Sequence, residues 1–193
     1  MSSVNEQSSR DEAFTTWEKK ASAASFDDIA ALPAAVAPVG QYKGLDYNAF
    51  FTTMDGLAGI PVSGVKPHSK PNVAASGLLT ELTQGQVAIY ADYPGSTTNT
   101  FDLESFYFGC VVATTEGEAS AAAACTVQAT GFNANGNGVA TQEFDFTAKG
   151  LLVDMAQATL SKKFKGLARV EFETKAALSA AVATLWDDFR YTT

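Results

Sequence analysis

The chain has a single histidine, His68, in the loop sequence SGVKPHSKPNV, with Lys66 and Lys70 on either side of it. A neutral imidazole exchanges a proton near pH 7, and two ammonium groups beside it would form an electropositive lip able to stabilise an oxyanion. The plain alternative is a solvated loop between two strands. A Ser-His-Asp hydrolase would have to recruit this same histidine, and no GxSxG turn accompanies it.

Carboxylates are the next candidates. Asp27 and Asp28 stand at the first strand, and Asp187 and Asp188 at the last. If the terminal strands pair, Asp27, Asp28 and Asp187 could supply oxygen ligands to a structural calcium ion. Two facts oppose it: no EF-hand-like spacing is present, and adjacent residues in a regular strand point to opposite faces. Hydrogen-bonded strand ends, or an ion pair with Arg190, are the simpler reading. One histidine and two cysteines make no zinc set, and no glycine-rich loop has phosphate-site spacing, so no cofactor is expected.

These residues must be positioned by strands. In FDLESFYFGCVVA, residues 101–113, Phe106, Phe108, Cys110 and Val112 share a parity and form one buried face, leaving Tyr107 outward. In AACTVQATGF, Cys125, Val127 and Ala129 alternate with Thr126, Gln128 and Thr130. A hairpin between these two strands would bring Cys110 toward Cys125. VATQEFDFTA turns Phe144 and Phe146 inward after a tight turn at Asn137-Gly138, and ARVEFET buries Val170 and Phe172. Strict alternation in TLWDDFRYT places Leu185, Phe189 and Tyr191 on one face and Trp186, Asp188 and Arg190 on the other. QVAIYADY adds a strand around Ile89, and residues 153–164 suit strand and helix equally. Short apolar runs punctuated by Gly, Pro, Asn and Ser indicate an all-β, antiparallel two-sheet jelly-roll-like sandwich over residues 26–193. Residues 1–25 read as a polar arm, with Phe14 and Trp17 on one side of a short helix across residues 11–24.

Composition narrows the partners. With 21 acidic and 13 basic residues the formal charge is -8 and the lysines are scattered, so nucleic acid is not an expected partner. No apolar run is long enough for a membrane-spanning helix. Two cysteines at strand positions suggest a disulfide and an oxidising compartment, two buried free thiols in a cytosolic protein being the alternative. The first residues do not read as a signal peptide, so secretion presumes a leader absent from this sequence. Sheet edges or faces could pair two copies into a homodimer.

The series FDDI (26–29), YKGLDYNAFF (42–51), SGVKPHSKPN (63–72), FDLESFYFGCVV (101–112), ACTVQATGF (124–132) and LWDDFRYT (185–192) resembles a group of fungal secreted β-sandwich proteins. That resemblance implies a jelly-roll-like fold and a disulfide between Cys110 and Cys125. Some proteins of this kind act in natural-product pathways as hetero-Diels–Alderases, joining a tropolone-derived o-quinone methide to a humulene-type terpene. The chain departs from the common pattern in its N-terminal arm and its basic PHSK loop.

A cofactor-free cyclase of this kind is therefore the expected function, with a small apolar terpene and a tropolone-type molecule as partners. His68, Lys66 and Tyr90 are its catalytic candidates. Tyr42, Tyr47, Phe51, Lys70, Asn72, Tyr93, Tyr107 and Trp186 are candidates to line an apolar bay with a few hydroxyls. The rival expectation is a non-catalytic, lectin-like carbohydrate-binding or surface protein presenting aromatic rings to a glycan.

Overall fold

The computed structural model describes residues 19–31, 36–54, 63–112, 120–176 and 182–193. The architecture is all-β and antiparallel, as the alternation of apolar residues requires. Thirteen strands are present among the described residues: β1 (Ala21–Ala24), β2 (Ala37–Tyr42), β3 (Leu45–Met54), β4 (Val65–Lys66), β5 (Asn72–Gly77), β6 (Ala88–Tyr90), β7 (Asp102–Val112), β8 (Cys125–Phe132), β9 (Gly138–Phe146), β10 (Val153–Asp154), β11 (Ala156–Thr159), β12 (Arg169–Ala176) and β13 (Val182–Thr192). One short helix, α1 (Leu78–Gln84), joins β5 to β6.

The two layers are halves of one continuous sheet in the order β11-β7-β13-β5-β3-β6-β12-β8-β9, with β1 added to β13 and β2 to β3. This sheet wraps round until its ends nearly meet. The Gln142 side chain of β9 bridges them, its Nε2 donating to the Thr159 carbonyl (3.0 Å) and its Oε1 accepting from Ser161 N–H (2.9 Å). Only β4 and β10 stand apart, as a parallel pair lying on the outside.

Inside the wrap sits an aromatic core. Phe50 of β3, Phe106 of β7, Phe172 of β12 and Trp186 and Phe189 of β13 are all at most 1% exposed. Their neighbouring ring centroids lie 5.0–6.1 Å apart, mostly edge-on or tilted, the geometry that aromatic quadrupoles favour. Phe144 reaches the same core across the seam, 5.5 Å from Phe106.

Several sequence expectations change here. β7 and β8 do not form a hairpin: β7 pairs with β11 and β13, while β8 pairs with β9 and β12. The disulfide between Cys110 and Cys125 is present, but it ties strands from opposite ends of the sheet order, with Cα atoms 6.2 Å apart. In the β8–β9 hairpin the left-handed residue is Gly136 (φ 79°), one position before the expected Asn137-Gly138. Asn133 organises this turn, its Oδ1 accepting from the N–H groups of Asn135 and Asn137.

At the N-terminus, Ala21–Ala24 is strand paired with β13, not the end of a helix; Phe14 and Trp17 lie outside the described residues. The stretch 153–164 resolves as strands β10 and β11. Trp186 is the clearest correction. It faces the core with no exposed surface and donates from Nε1 to Ser76 Oγ (2.8 Å). The cause is a bulge: the β13–β7 register shifts between Asp187 and Arg190, and Asp188 adopts φ 45°. Trp186 and Phe189, three residues apart, thereby face the same side.

Candidate functional site

The outer face of β7 and β13 brings several of the candidate residues together. Tyr107 lies opposite Asp187, and one row further Gly109 lies opposite Leu185. The segment 63–71 crosses this face. Its β4 residue Val65 rests on Gly109, where a Cβ atom would come within 2.6 Å of Val65 Cγ1. Glycine thus lets the crossing segment approach β7 closely. Gly64 N–H donates to the Ser120 carbonyl (2.6 Å) and Val153 N–H to the Gly64 carbonyl (2.8 Å), fixing the segment at that end.

Beyond β4 the segment sets His68 flat on Tyr107, ring centroids 3.5 Å apart at 15°. His68 Nδ1 lies 2.5 Å from Asp188 Oδ2. A carboxylate only accepts, so Nδ1 carries hydrogen in this contact and Nε2 becomes the nitrogen that takes up and releases a proton. Next in the chain, Ser69 donates its N–H (2.6 Å) and its hydroxyl (2.8 Å) to Asp187. Asp187 also accepts the Asp188 N–H at 2.8 Å. Its carboxyl is pushed up to about 7, chiefly by burial and further by the charge of Asp188, against the pull of the Ser69 hydrogen bonds.

Both carboxylates reach one loop because of the bulge. In a regular strand Asp187 and Asp188 would point to opposite faces. The left-handed Asp188 breaks that alternation, and Asp is among the residues that tolerate this conformation.

The other candidates divide sharply. Lys66 Nζ is paired with Asp154 of β10 at 3.1 Å, an exposed contact worth little to stability. The expected electropositive lip is therefore a row of compensated pairs, Lys66 with Asp154 and His68 with Asp188, with Lys70 exposed beside them. Phe51 continues the Gly109–Leu185 row through Ala75 of β5; Gly109 and Leu185 are buried, so the partly exposed apolar surface of this row is Ala75 and Phe51, two and three strands from β7.

Tyr90 is not in this site. It lies on β6, four strands from β7 in the sheet order, on the order of 15–20 Å away at usual strand spacing. There it stands opposite Asp46 and Arg169. Tyr93 follows in the adjoining turn, its carbonyl accepting from Ser96 N–H. Tyr47 is 1% exposed and packs edge-on against Phe26 and Phe50, so it belongs to the core. Tyr42 donates its hydroxyl to Asp28 and stacks on Phe26, with Lys43 Nζ 4.9 Å over its ring. The bond from Tyr42 holds the Asp28 carboxyl below its ordinary value. Asn72 is also structural: Nδ2 donates to the carbonyls of Phe26 (3.0 Å) and Ile29 (2.8 Å).

The carboxylates considered as calcium ligands all have protein partners. Asp27 accepts from Asn72 N–H, Asp28 from Tyr42, and Asp187 from Ser69. Among the described residues no group of three or more His, Cys, Asp or Glu side chains is arranged to hold a metal ion.

Surface hollows also lie elsewhere among the described residues. One, of about 370 Å³, is lined by Cys125, Thr126, Asp145, Phe146 and Lys175 at the disulfide end of β8, β9 and β12. Another, of about 110 Å³, lies on the outer face of β8 and β12 between Gln86, Gln128, Thr130, Glu171 and Glu173.

The geometry defines an all-β, nearly closed antiparallel sheet with a His-Asp pair on its outer face. No family model and no curated protein matches the chain. Among solved structures it is similar to the crystal structure of a DUF4465 family protein from Bacteroides caccae. The TM-score is 0.54 and the identity 13%, over 93% of this chain and 95% of that one. At that identity the likeness is one of fold.

Proposed function

We propose that the chain is a cofactor-free cyclase of natural-product biosynthesis, with His68 as its acid. The observation that carries this reading is the His68–Asp188 pair stacked on Tyr107, with the partly exposed apolar surface of Ala75 and Phe51 further along the same outer face. The sequence resemblance to fungal hetero-Diels–Alderases supplies the reaction class. Protonated Nε2 of His68 gives its proton to the leaving hydroxyl of a hydroxymethyl tropolone. The C–O bond breaks, water departs, and loss of the ring hydroxyl proton leaves the neutral o-quinone methide. The humulene-type terpene lies on that apolar surface, and the [4+2] addition then forms two bonds with no redox change. Holding the reactants in register supplies most of the acceleration. The disulfide supports folding in an oxidising compartment, and no helix among the described residues is long and apolar enough to cross a membrane.

Purified protein given the hydroxymethyl precursor and humulene tests the reading: wild type should exceed His68→Ala in rate by about 10²-fold, the lower range for a general acid. Equal rates would remove His68 from the chemistry.

A second reading has its own observation. The hollow between Gln86, Gln128, Thr130, Glu171 and Glu173 is lined by amides, a hydroxyl and carboxylates, groups that can bond sugar hydroxyls. A lectin-like protein would bind glycans there, and Gln128→Ala would weaken that binding without affecting His68.

A further inference from the structure

We infer that Asp187 is the positioning residue of the site proposed above: by gripping Ser69 through both its N–H and its hydroxyl, it fixes His68 over Tyr107 and against Asp188. The inference rests on that reading of His68 as the working acid.

Two neighbours on β13 act on two neighbours in the loop. Asp188 meets His68, and Asp187 meets Ser69. Asp187 has no exposed surface, whereas His68 has 38% of its side chain exposed, so the anchor is buried and the working ring is not. The anchor stands directly across from Tyr107, the residue under the imidazole. One contact alone would leave the loop free to pivot. Two bonds from a single residue, one to its backbone, fix both its position and its orientation.

The side-chain type follows from the donors. Three converge on Asp187: Ser69 N–H, Ser69 Oγ–H and Asp188 N–H. A carboxylate can accept from all of them, while an Asn would aim its own N–H₂ at one donor. The charged and titratable groups around it are Asp188 and Arg190 on its strand, Lys66, His68 and Lys70 on the crossing segment, Asp154 on β10 and Tyr107 on β7. With the carboxyl at about 7, both protonation states occur in ordinary buffers. The clasp survives in each. When neutral, the acid can donate from Oδ1 to Ser69 Oγ, whose hydroxyl then turns. The same oxygen keeps a lone pair for the Asp188 N–H, which an amide N–H₂ in its place lacks, and Oδ2 keeps the Ser69 N–H.

His68 is the only histidine in the sequence, so its ring proton resonance can be followed directly by NMR. Stacking on Tyr107 displaces that resonance upfield. Asp187→Asn and Ser69→Ala should both move it toward its unfolded position. Both should also lower kcat in the cyclase assay by about tenfold, with KM within about twofold, since the acid is misplaced while the apolar surface is intact. Ser69→Ala removes only a loop hydroxyl, so it tests the clasp even if Asp187→Asn does not fold. An unmoved resonance in Ser69→Ala and in folded Asp187→Asn overturns the inference, and so does a moved resonance with full kcat. Should the wild type show no cyclase activity while the resonance moves, the proposed function falls and the anchoring of His68 by Asp187 stands.

Discussion

Burial of Asp187 makes folding stability depend on pH in a calculable way. Its carboxyl rises from 3.8 in the unfolded chain to about 7 in the fold. Between those values the native state binds a proton that the unfolded state has released. Stability from this group is therefore fully present below about pH 4 and is lost as pH rises through about 7. That rise corresponds to about 4 kcal/mol, at ~1.4 kcal/mol for each tenfold change in proton affinity. Asp187→Asn removes the titration. The Asn variant also disturbs one contact to Ser69, but that offset does not change with pH. Urea unfolding followed by tryptophan fluorescence, with Trp186 in the core as reporter, measures both proteins from pH 4.5 to 8.5. The free energy of the variant relative to wild type should rise with pH by a large part of ~4 kcal/mol and level off above pH 8. A difference independent of pH over this range would refute the raised carboxyl. A difference that fell with pH when the series is extended down to about pH 2 would mean that the Ser69 hydrogen bonds outweigh desolvation.

Three further outcomes follow from packing. Gly109→Ala forces a methyl against Val65 and should cost about 1–3 kcal/mol by urea unfolding, with the His68 resonance displaced as the crossing segment lifts. Trp186→Ala should cost about 3–5 kcal/mol, because the indole fills the core and satisfies Ser76; a cost below about 1 kcal/mol would return Trp186 to the surface. Replacing Cys110 and Cys125 together by Ala should cost about 3 kcal/mol for a 15-residue separation. Alkylation of unreduced wild type should leave its mass unchanged.

Local alternation was readable wherever strands are regular. Cys125, Val127 and Ala129 are buried with Thr126, Gln128 and Thr130 between them partly exposed, and Val170 and Phe172 behave likewise. Pairing was not readable. β7 and β13 meet across some 75 residues, and nothing local in FDLESFYFGC specifies that partner over the nearer β8. The disulfide is present, but the β7–β8 hairpin expected to bring its cysteines together is not.

The site was half legible. His68 and Tyr107 were singled out separately, one for its proton and one for its outward parity, and the fold stacks them. Strict alternation would send Asp187 and Asp188 to opposite faces, yet both meet the 68–69 loop. The clue was the spacing of Trp186 and Phe189. Two large aromatic residues three apart in a strand cannot both be core without a bulge, and an Asp between them can adopt the left-handed conformation. Tyr90 failed for a topological reason, since only the sheet order separates β6 from β7.

The central claim is that this chain accelerates and steers a [4+2] addition using His68. Its most direct test is incubation of the wild type with the hydroxymethyl tropolone precursor and humulene, with the adduct resolved by chiral chromatography. One enantiomer in excess, formed faster than in buffer and slowed about 10²-fold by His68→Ala, is the predicted result. Racemic adduct at the buffer rate would contradict it.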